Sequence, residues 1–438
     1  MIHPAPLRSD LQQPGANTRS RRSAVLLLGN YRPTLPLAEM FFRRDIHVIA
    51  GSEGCDHCAE FSRFVSEMWD HPKVADTKRF LSALTDLLNR RPEIDLVVPV
   101  EEAFVRFFAR HQADLPGRVR TAMVDAQLAQ TCLDKVALLG IARAAGIPVA
   151  PFRLVDTLDG LRGALAELSY PCVVRPENSA NRLFGHKAVT LRSDRDRERW
   201  FATWPAEQRS LLLQRKVGGI RHNCYFAAES GRIGRYLHAI IERTDRRDGS
   251  GLAVEGRTIP PEDEILNYSK KLVSELDYTG IGCIQYLVDE ERDEIHLLEI
   301  NPRIAGNHVI PEHCGLELAE FLVDGADGDI RFGRAGVRYS WIAGDLEGFK
   351  SELLRGVLGP GQAVKWLGRI IRNVVRTDVD VMFNARDPLP GIVNLLDVIP
   401  GIGHVTRLRR HDGRRPYLLR LIPKARPGIS FIGAAGET

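Results

Sequence analysis

The chain has 438 residues, of which 44% are hydrophobic and 26% charged, with a formal net charge of +4. That length holds two or three domains with substantial cores, and so small a net charge gives no electrostatic basis for a nucleic-acid partner. The charge is uneven: 18 Lys and Arg stand against 9 Asp and Glu from Arg331 to Thr438, a local excess of +9, while the preceding residues carry −5.

Residues 1–22 are rich in Pro, Gln, Ser and Arg without periodicity, and read as a disordered tail. Ser20-Arg21-Arg22-Ser23 before the apolar run 24–28 superficially resembles a twin-arginine export signal. The run is shorter than the roughly 7–15 residues such a signal needs and has no small-residue cleavage site. No stretch approaches the roughly 20 apolar residues of a transmembrane segment. Seven cysteines without regular spacing do not form a disulfide framework, and Cys55-Asp56-His57-Cys58 is a lone CxxC with no second half. Together these features predict a cytoplasmic protein with reduced thiols.

The run Ala24 to Leu28, closed by Gly29, predicts a buried parallel strand. A helix over 35–44, a strand over 46–50, a helix over 77–90 and a strand over 95–100 continue the alternation. Such alternation implies a parallel sheet with helices on both faces, whose strand carboxyl ends form one wall of a substrate cleft. Asp134-Lys135 opens a helix that Gly146 ends. Strands over 152–155 and 172–175 flank a helix over 158–168; further strands are expected over 210–214, 223–228 and 235–242. An amphipathic helix over 265–276 precedes a hairpin, and another helix begins at 317.

The hairpin is the most informative segment. A strand over 281–288, an acidic turn, Asp289 to Asp293, and a returning strand from His296 place Glu299, Asn301 and Arg303 on one face, because residues two apart in a strand point the same way. Folding back about Glu291 sets Gln285 opposite or diagonal to Glu299. A carboxylate and two amide oxygens are hard ligands of the kind Mg²⁺ takes while it holds phosphates, and Arg303 can meet an anion. Such a set suits phosphoryl transfer, where positioning and charge neutralisation dominate. The plain alternative is a buried hairpin with polar residues at its end.

Beyond Arg331 the pattern changes. Over 362–376, Val364, Leu367, Ile370, Ile371 and Val374 share one helix face, with Lys365, Arg369, Arg372 and Arg376 on another. The basic stripe reads either as a solvated face or as contact with an anionic substrate, lipid surface or acidic partner. Turns are expected at 387–391 and 400–403.

Glu299-Ile300-Asn301-Pro302-Arg303, with Gly306 after it, resembles the metal-binding signature of the ATP-grasp superfamily. Tyr170-Pro171-Cys172-Val173-Val174-Arg175-Pro176 resembles the strand that delivers a cation to the ATP phosphates in that superfamily. The resemblance runs from Val25 to Gly328. It implies an α/β and α+β architecture: an N-terminal parallel-sheet domain over 23–120, an ATP-grasp domain over 121–330, and a small basic C-terminal region over 331–438.

The same resemblance implies roles. Lys135 matches the cation that reaches the nucleotide phosphates. Arg175 stands where most of the superfamily has Lys, and Gln285 where most have Asp or Glu; both departures are similar to the carbamoyl-phosphate synthase branch. An Arg can grip phosphate oxygens bidentately. Residues 177–187 resemble the mobile phosphate-covering loop, with Asn178, Ser179, Asn181 and His186 as donors and Lys187 adding charge. Gln214-Arg215-Lys216-Val217 resembles the hinge strand that reads adenine. The stretch Gly219-Ile220-Arg221-His222 lacks the acid that usually meets ribose, which puts ribose recognition in doubt. Gln285, Glu299 and Asn301 would hold Mg²⁺, with Mn²⁺ as a substitute, and Arg303 would hold the substrate carboxylate or stabilise an acyl phosphate.

The implied activity is an ATP-dependent carboxylate–amine or carboxylate–thiol ligase acting on small-molecule acids and amines through an acyl phosphate. One ATP-grasp copy and no glutaminase-like segment argue against bicarbonate and for a larger acid. A homodimer is compatible with this reading. The alternatives are a nucleotide-binding regulatory module without turnover, and a ligase-type modifier of a protein or surface-bound substrate.

Overall fold

The computed structural model describes residues 23–54, 58–177, 181–325 and 329–399, and two short strands, His404–Arg407 and Leu419–Ile422. The expected tail over 1–22, most of the CxxC, the loop residues Asn178 and Ser179, and the turn at 400–403 lie outside the described residues. No disulfide joins the described cysteines, and none of the described helices is long and apolar enough to cross a membrane.

The N-terminal sheet is parallel, in the order Glu67–Asp70, His47–Ser52, Ala24–Leu28, Ile94–Pro99, Arg120–Thr121. Ala24–Leu28 is buried along its whole length, as a central strand covered on both faces must be. The two edge strands carry no apolar run, so the sequence shows only the inner three. Short polar edges also resist pairing with other chains. The loops leaving Leu28 and Pro99 open at the strand carboxyl ends.

A four-stranded antiparallel sheet follows, in the order Phe152–Val155, Leu211–Arg215, Cys172–Pro176, Val189–Leu191. Helix Leu158–Leu168 covers it with Leu161 and Leu165, packed on Val174 and Leu213.

The largest sheet runs Glu294–Asn301, Gly280–Asp289, Ile220–Glu229, Arg232–Thr244, Ala253–Ile259, Arg338–Ser340, Val379–Asp380. Alternation along Ile220–Glu229 divides its side chains between two cores. Cys224 and Phe226 join the core of helices Ala126–Leu133 and Asp263–Glu275, while Tyr225 and Ala227 join the core shared with the N-terminal sheet. The sheet therefore passes position 330: Arg331–Phe332 pairs with the Arg232–Thr244 strand, and Arg338–Ser340 with Ala253–Ile259.

Helix Pro360–Arg376 departs from its amphipathic expectation. Trp366, Ile370 and Asn373 are buried, while Val364, Leu367, Ile371 and Val374 face solvent. The cause is polar. Glu255 and Asp345 are buried carboxylates, and a buried carboxylate requires charge-assisted donors. Arg369 Nε donates to Glu255 Oε2 at 2.7 Å, Arg372 Nη2 to Glu255 Oε1 at 3.4 Å, and Trp366 Nε1 to Asp345 Oδ1 at 2.6 Å, with Arg243 bridging the two acids. These bonds rotate the basic edge inward and leave the apolar stripe outside.

Candidate active site

In the hairpin, Gln285 lies directly opposite Glu299, and Cys283 opposite Asn301. A bulge between Gln285 and Tyr286 sets this register, the re-aiming such bulges provide near functional sites. Asn223 pairs with Gln285 on the next strand, so Asn223, Gln285 and Glu299 form one row of oxygen-bearing side chains across three strands.

Lys135 opens helix Lys135–Ala144, whose N-cap Asp134 accepts from Val136 N and Ala137 N at 2.9 and 3.0 Å. The capped helix start points the lysine at the hairpin, and its Nζ donates to Glu299 Oε2 at 2.7 Å. Asn301 Nδ2 donates to Glu299 Oε1 at 3.1 Å. The Lys135 charge, against the opposing effect of burial, holds the Glu299 carboxyl down to about 2. Glu299 is thus ionised throughout the physiological range.

Arg175, on strand Cys172–Pro176, donates from Nη2 to Gln214 Oε1 at 2.8 Å; its Nε is buried with no partner. Burial lowers its pKa and the neighbouring Glu299 partly restores it. Arg303 donates from Nη1 to Ile304 O at 2.8 Å and to Tyr31 Oη at 3.5 Å, and its Nε is likewise buried and unpartnered.

These groups share one cavity of about 790 Å³, lined by Lys135, Arg175, Lys187, Gln285, Glu299, Asn301 and Arg303. Seven of the residues singled out from the sequence therefore converge from four separate segments. The hinge residues Gln214, Arg215, Lys216 and Val217 are not in its wall. Gln214 is buried, with its side chain turned to Arg175, and the backbone N–H groups of Arg215 and Lys216 already donate to Pro151 O and Pro171 O. Those two amides are therefore engaged within the small sheet.

The N-terminal and C-terminal parts complete the wall with residues that motif reading passed over. Tyr31 and Arg32 come from the loop after Leu28, and Trp341 from the segment after Arg338–Ser340. A signal for the first two existed: Gly29-Asn30-Tyr31-Arg32 directly follows an apolar strand, and ligands gather at strand carboxyl ends in such sheets. Arg221 and Asn223 also face the cavity, so the stretch that lacks a ribose acid presents a guanidinium and an amide.

Among the described residues, one further group of ligand-type side chains, His222, His238 and Glu262, is brought together by neighbouring strands and the start of helix Asp263–Glu275. Glu262 N donates to His238 Nδ1 at 3.4 Å, which fixes the tautomer, so His238 Nε2 donates to His222 Nδ1 at 3.0 Å. Burial pushes His222 down to about 4 and His238 to about 3. The two rings form a neutral, hydrogen-bonded pair.

A parallel-sheet domain, a small antiparallel sheet and a large, mainly antiparallel sheet closing on a cation-rich cavity define the ATP-grasp fold. Solved structures agree. N5-carboxyaminoimidazole synthetase from Staphylococcus aureus complexed with ADP superposes with a TM-score of 0.57 at 15% identity, covering 72% of this chain and 80% of that one. Residues 231–344 match the family described as ATP-grasp in the biosynthetic pathway with Ter operon. Among curated proteins, urea amidolyase of Saccharomyces cerevisiae is 28% identical over 197 residues, 42% of this chain and 10% of that protein. The carbamoyl phosphate synthase large chain of Methanothermobacter thermautotrophicus is 26% identical over 218 residues, 48% of this chain and 19% of that protein. The chain thus spans less than a fifth of the length of either relative.

Proposed function

We propose that this chain is an ATP-dependent ligase that joins a small-molecule carboxylic acid to an amine through an acyl phosphate, with release of ADP and phosphate. The observation that carries the reading is the convergence of Lys135, Arg175 and Arg303 on the same cavity as Gln285, Glu299 and Asn301 of the hairpin. The donor set fits a hard divalent cation: an ionised carboxylate flanked by two amide side chains. Gln285, Glu299 and Asn301 would hold Mg²⁺, which would supply charge neutralisation to the nucleotide phosphates.

The rest is the work of the chain's own groups. Arg175 and Lys135 bring positive charge to the phosphate end, where the unpartnered Arg175 Nε has a donor to offer. Arg303 orients the acid so that one carboxylate oxygen attacks the γ-phosphorus and ADP departs. The amine nitrogen then attacks the acyl carbon, the C–O bond to phosphate breaks, and the amine gives up a proton. No side-chain nucleophile is required. Lys187 adds another cation to the same cavity wall. An anionic partner for helix Pro360–Arg376 loses part of its basis, since Arg369 and Arg372 already bond Glu255.

The test is ADP release from ATP and Mg²⁺ across pools of acids and amines. Release that needs both an acid and an amine, and is lost in Glu299→Ala, supports the ligase. Nucleotide binding without ADP in any pool would instead favour a regulatory module.

A further inference from the structure

Arg32 is a feature of the cavity that the ligase chemistry leaves unused. Its side chain is 9% exposed, and its guanidinium carbon sits 3.8 Å from the centroid of the Trp341 ring. Trp341 is itself held, its Nε1 donating to Asn394 Oδ1 at 3.2 Å. Gly306 makes the room: a Cβ there would lie 3.2 Å from Arg32 Nη2. Stacking covers one face of the guanidinium and leaves the in-plane N–H groups to find partners at its edge.

Among the described residues, neither Arg32 nor Arg303 forms an ion pair; Arg32 feels both the Asp245 carboxylate, which does not reach it as a salt bridge, and the opposing charge of Arg303. Tyr31, the residue before Arg32, accepts from Arg303 and ties the two sites together. Elsewhere in the fold a half-buried arginine is neutralised: Arg243 meets Glu255 and Asp345. An arginine keeps its proton even when buried, and burying like charges without a counter-ion is costly. Two adjacent guanidinium groups in one cavity therefore call for two anionic groups on whatever fills it.

We infer that the acid substrate carries a second anionic group, a carboxylate or a phosphate, bound by Arg32 on its Trp341 platform while Arg303 meets the reacting carboxylate. The assignment of the reacting end rests on the ligase reading above; the Arg32 subsite rests on the packing alone. A monocarboxylate fills half of this arrangement and leaves Arg32 uncompensated.

The experiment measures binding of propanoate, succinate and phosphonoacetate to the full chain with ADP and Mg²⁺ by calorimetry, in wild type, Arg32→Gln, Arg32→Lys and Arg303→Gln. Succinate or phosphonoacetate is expected to bind about 10- to 100-fold tighter than propanoate. Which of the two dianions wins distinguishes a carboxylate from a phosphate at the second position. Arg32→Gln should erase the preference, Arg32→Lys should retain part of it, and Arg303→Gln should weaken all three ligands. Equal binding of propanoate and the dianions, a preference that survives Arg32→Gln, or no binding of any of the three overturns the inference. Adding ATP and hydroxylamine to the same samples separates the two readings. A dianion preference in binding without hydroxamate sinks the ligase and keeps the subsite, whereas equal hydroxamate from propanoate and succinate does the reverse.

Discussion

Lys135 Nζ and Glu299 Oε2 stand 2.7 Å apart although 164 residues separate them in the chain. The pair joins the first turn of helix Lys135–Ala144 to the hairpin, so two charged groups of the cavity are fixed against each other. Their side chains are 13% and 30% exposed, which makes the pair partly buried and not a surface contact.

Breaking it from either side strands a charge. Glu299→Ala should therefore destabilise the fold by about 1–3 kcal/mol, the cost of a partly buried group left unsatisfied. It should also lower ADP release by about 100-fold or more. The double variant Glu299→Ala/Lys135→Met should recover part of the stability and none of the turnover. Urea unfolding and an ADP assay on all three proteins read the two effects separately. Turnover returning in the double variant would mean that the pair only holds the fold.

Arg175 and Gln214 give a second prediction. Gln214 Oε1 accepts from Arg175 Nη2 at 2.8 Å and sets the direction of the guanidinium. Arg175→Lys keeps the charge but loses the planar fork, so the KM for ATP should rise about tenfold, one hydrogen bond to a charged group. Gln214→Leu should produce a smaller rise in the same direction. An unchanged KM in both would remove Arg175 from nucleotide binding.

Much of the cavity was legible before any coordinates, because it is written in local patterns. The spacing of Glu299, Asn301 and Arg303 fixes a common face, and a hairpin with Gln285 on its outgoing strand can close only a few ways. The position of Arg32 after an apolar strand is a signal in the sequence, but its contact with Trp341 is not legible there, since nothing local links residues that meet only when the N-terminal loop and the segment after position 340 pack together. The edge strands Glu67–Asp70 and Arg120–Thr121 were invisible for another reason: their exposure removes the apolar signal. The expected hinge at Gln214 to Val217 rests on motif order, which does not reveal that the N–H groups of Arg215 and Lys216 donate to Pro151 O and Pro171 O.

The His222–His238 pair predicts a pH dependence. Both rings stay neutral in the fold, at about 4 and about 3, against about 6.5 when unfolded. Between those values the unfolded chain binds more protons than the folded one, so stability falls as the pH drops from about 6.5 toward 4. Each histidine contributes a slope of up to about 1.4 kcal/mol per pH unit. Denaturation midpoints from pH 7.5 to 4.5 should show this acid limb, and replacing both rings with Asn should flatten it, whatever the variant's stability at pH 7.5. An unchanged slope would mean that the pair is protonated in the fold.

Helix Pro360–Arg376 supplies the sharpest test of the packing, because sequence pattern and structure rank the same residues differently. By periodicity Ile370 and Ile371 lie on one apolar face; in the fold Ile370 is 5% exposed and Ile371 is 67% exposed. Ile370→Ala should cost about 2–4 kcal/mol through lost burial and a cavity beside Trp366, whereas Ile371→Ala should stay within about 0.5 kcal/mol. Glu255→Gln should be at least as damaging as Ile370→Ala. It leaves Arg243, Arg369 and Arg372 competing for a neutral amide and removes the charge that turns the helix. If the helix instead packed by its apolar stripe, the order would invert: Ile371→Ala would be costly, and Glu255→Gln would leave the denaturation midpoint nearly unmoved.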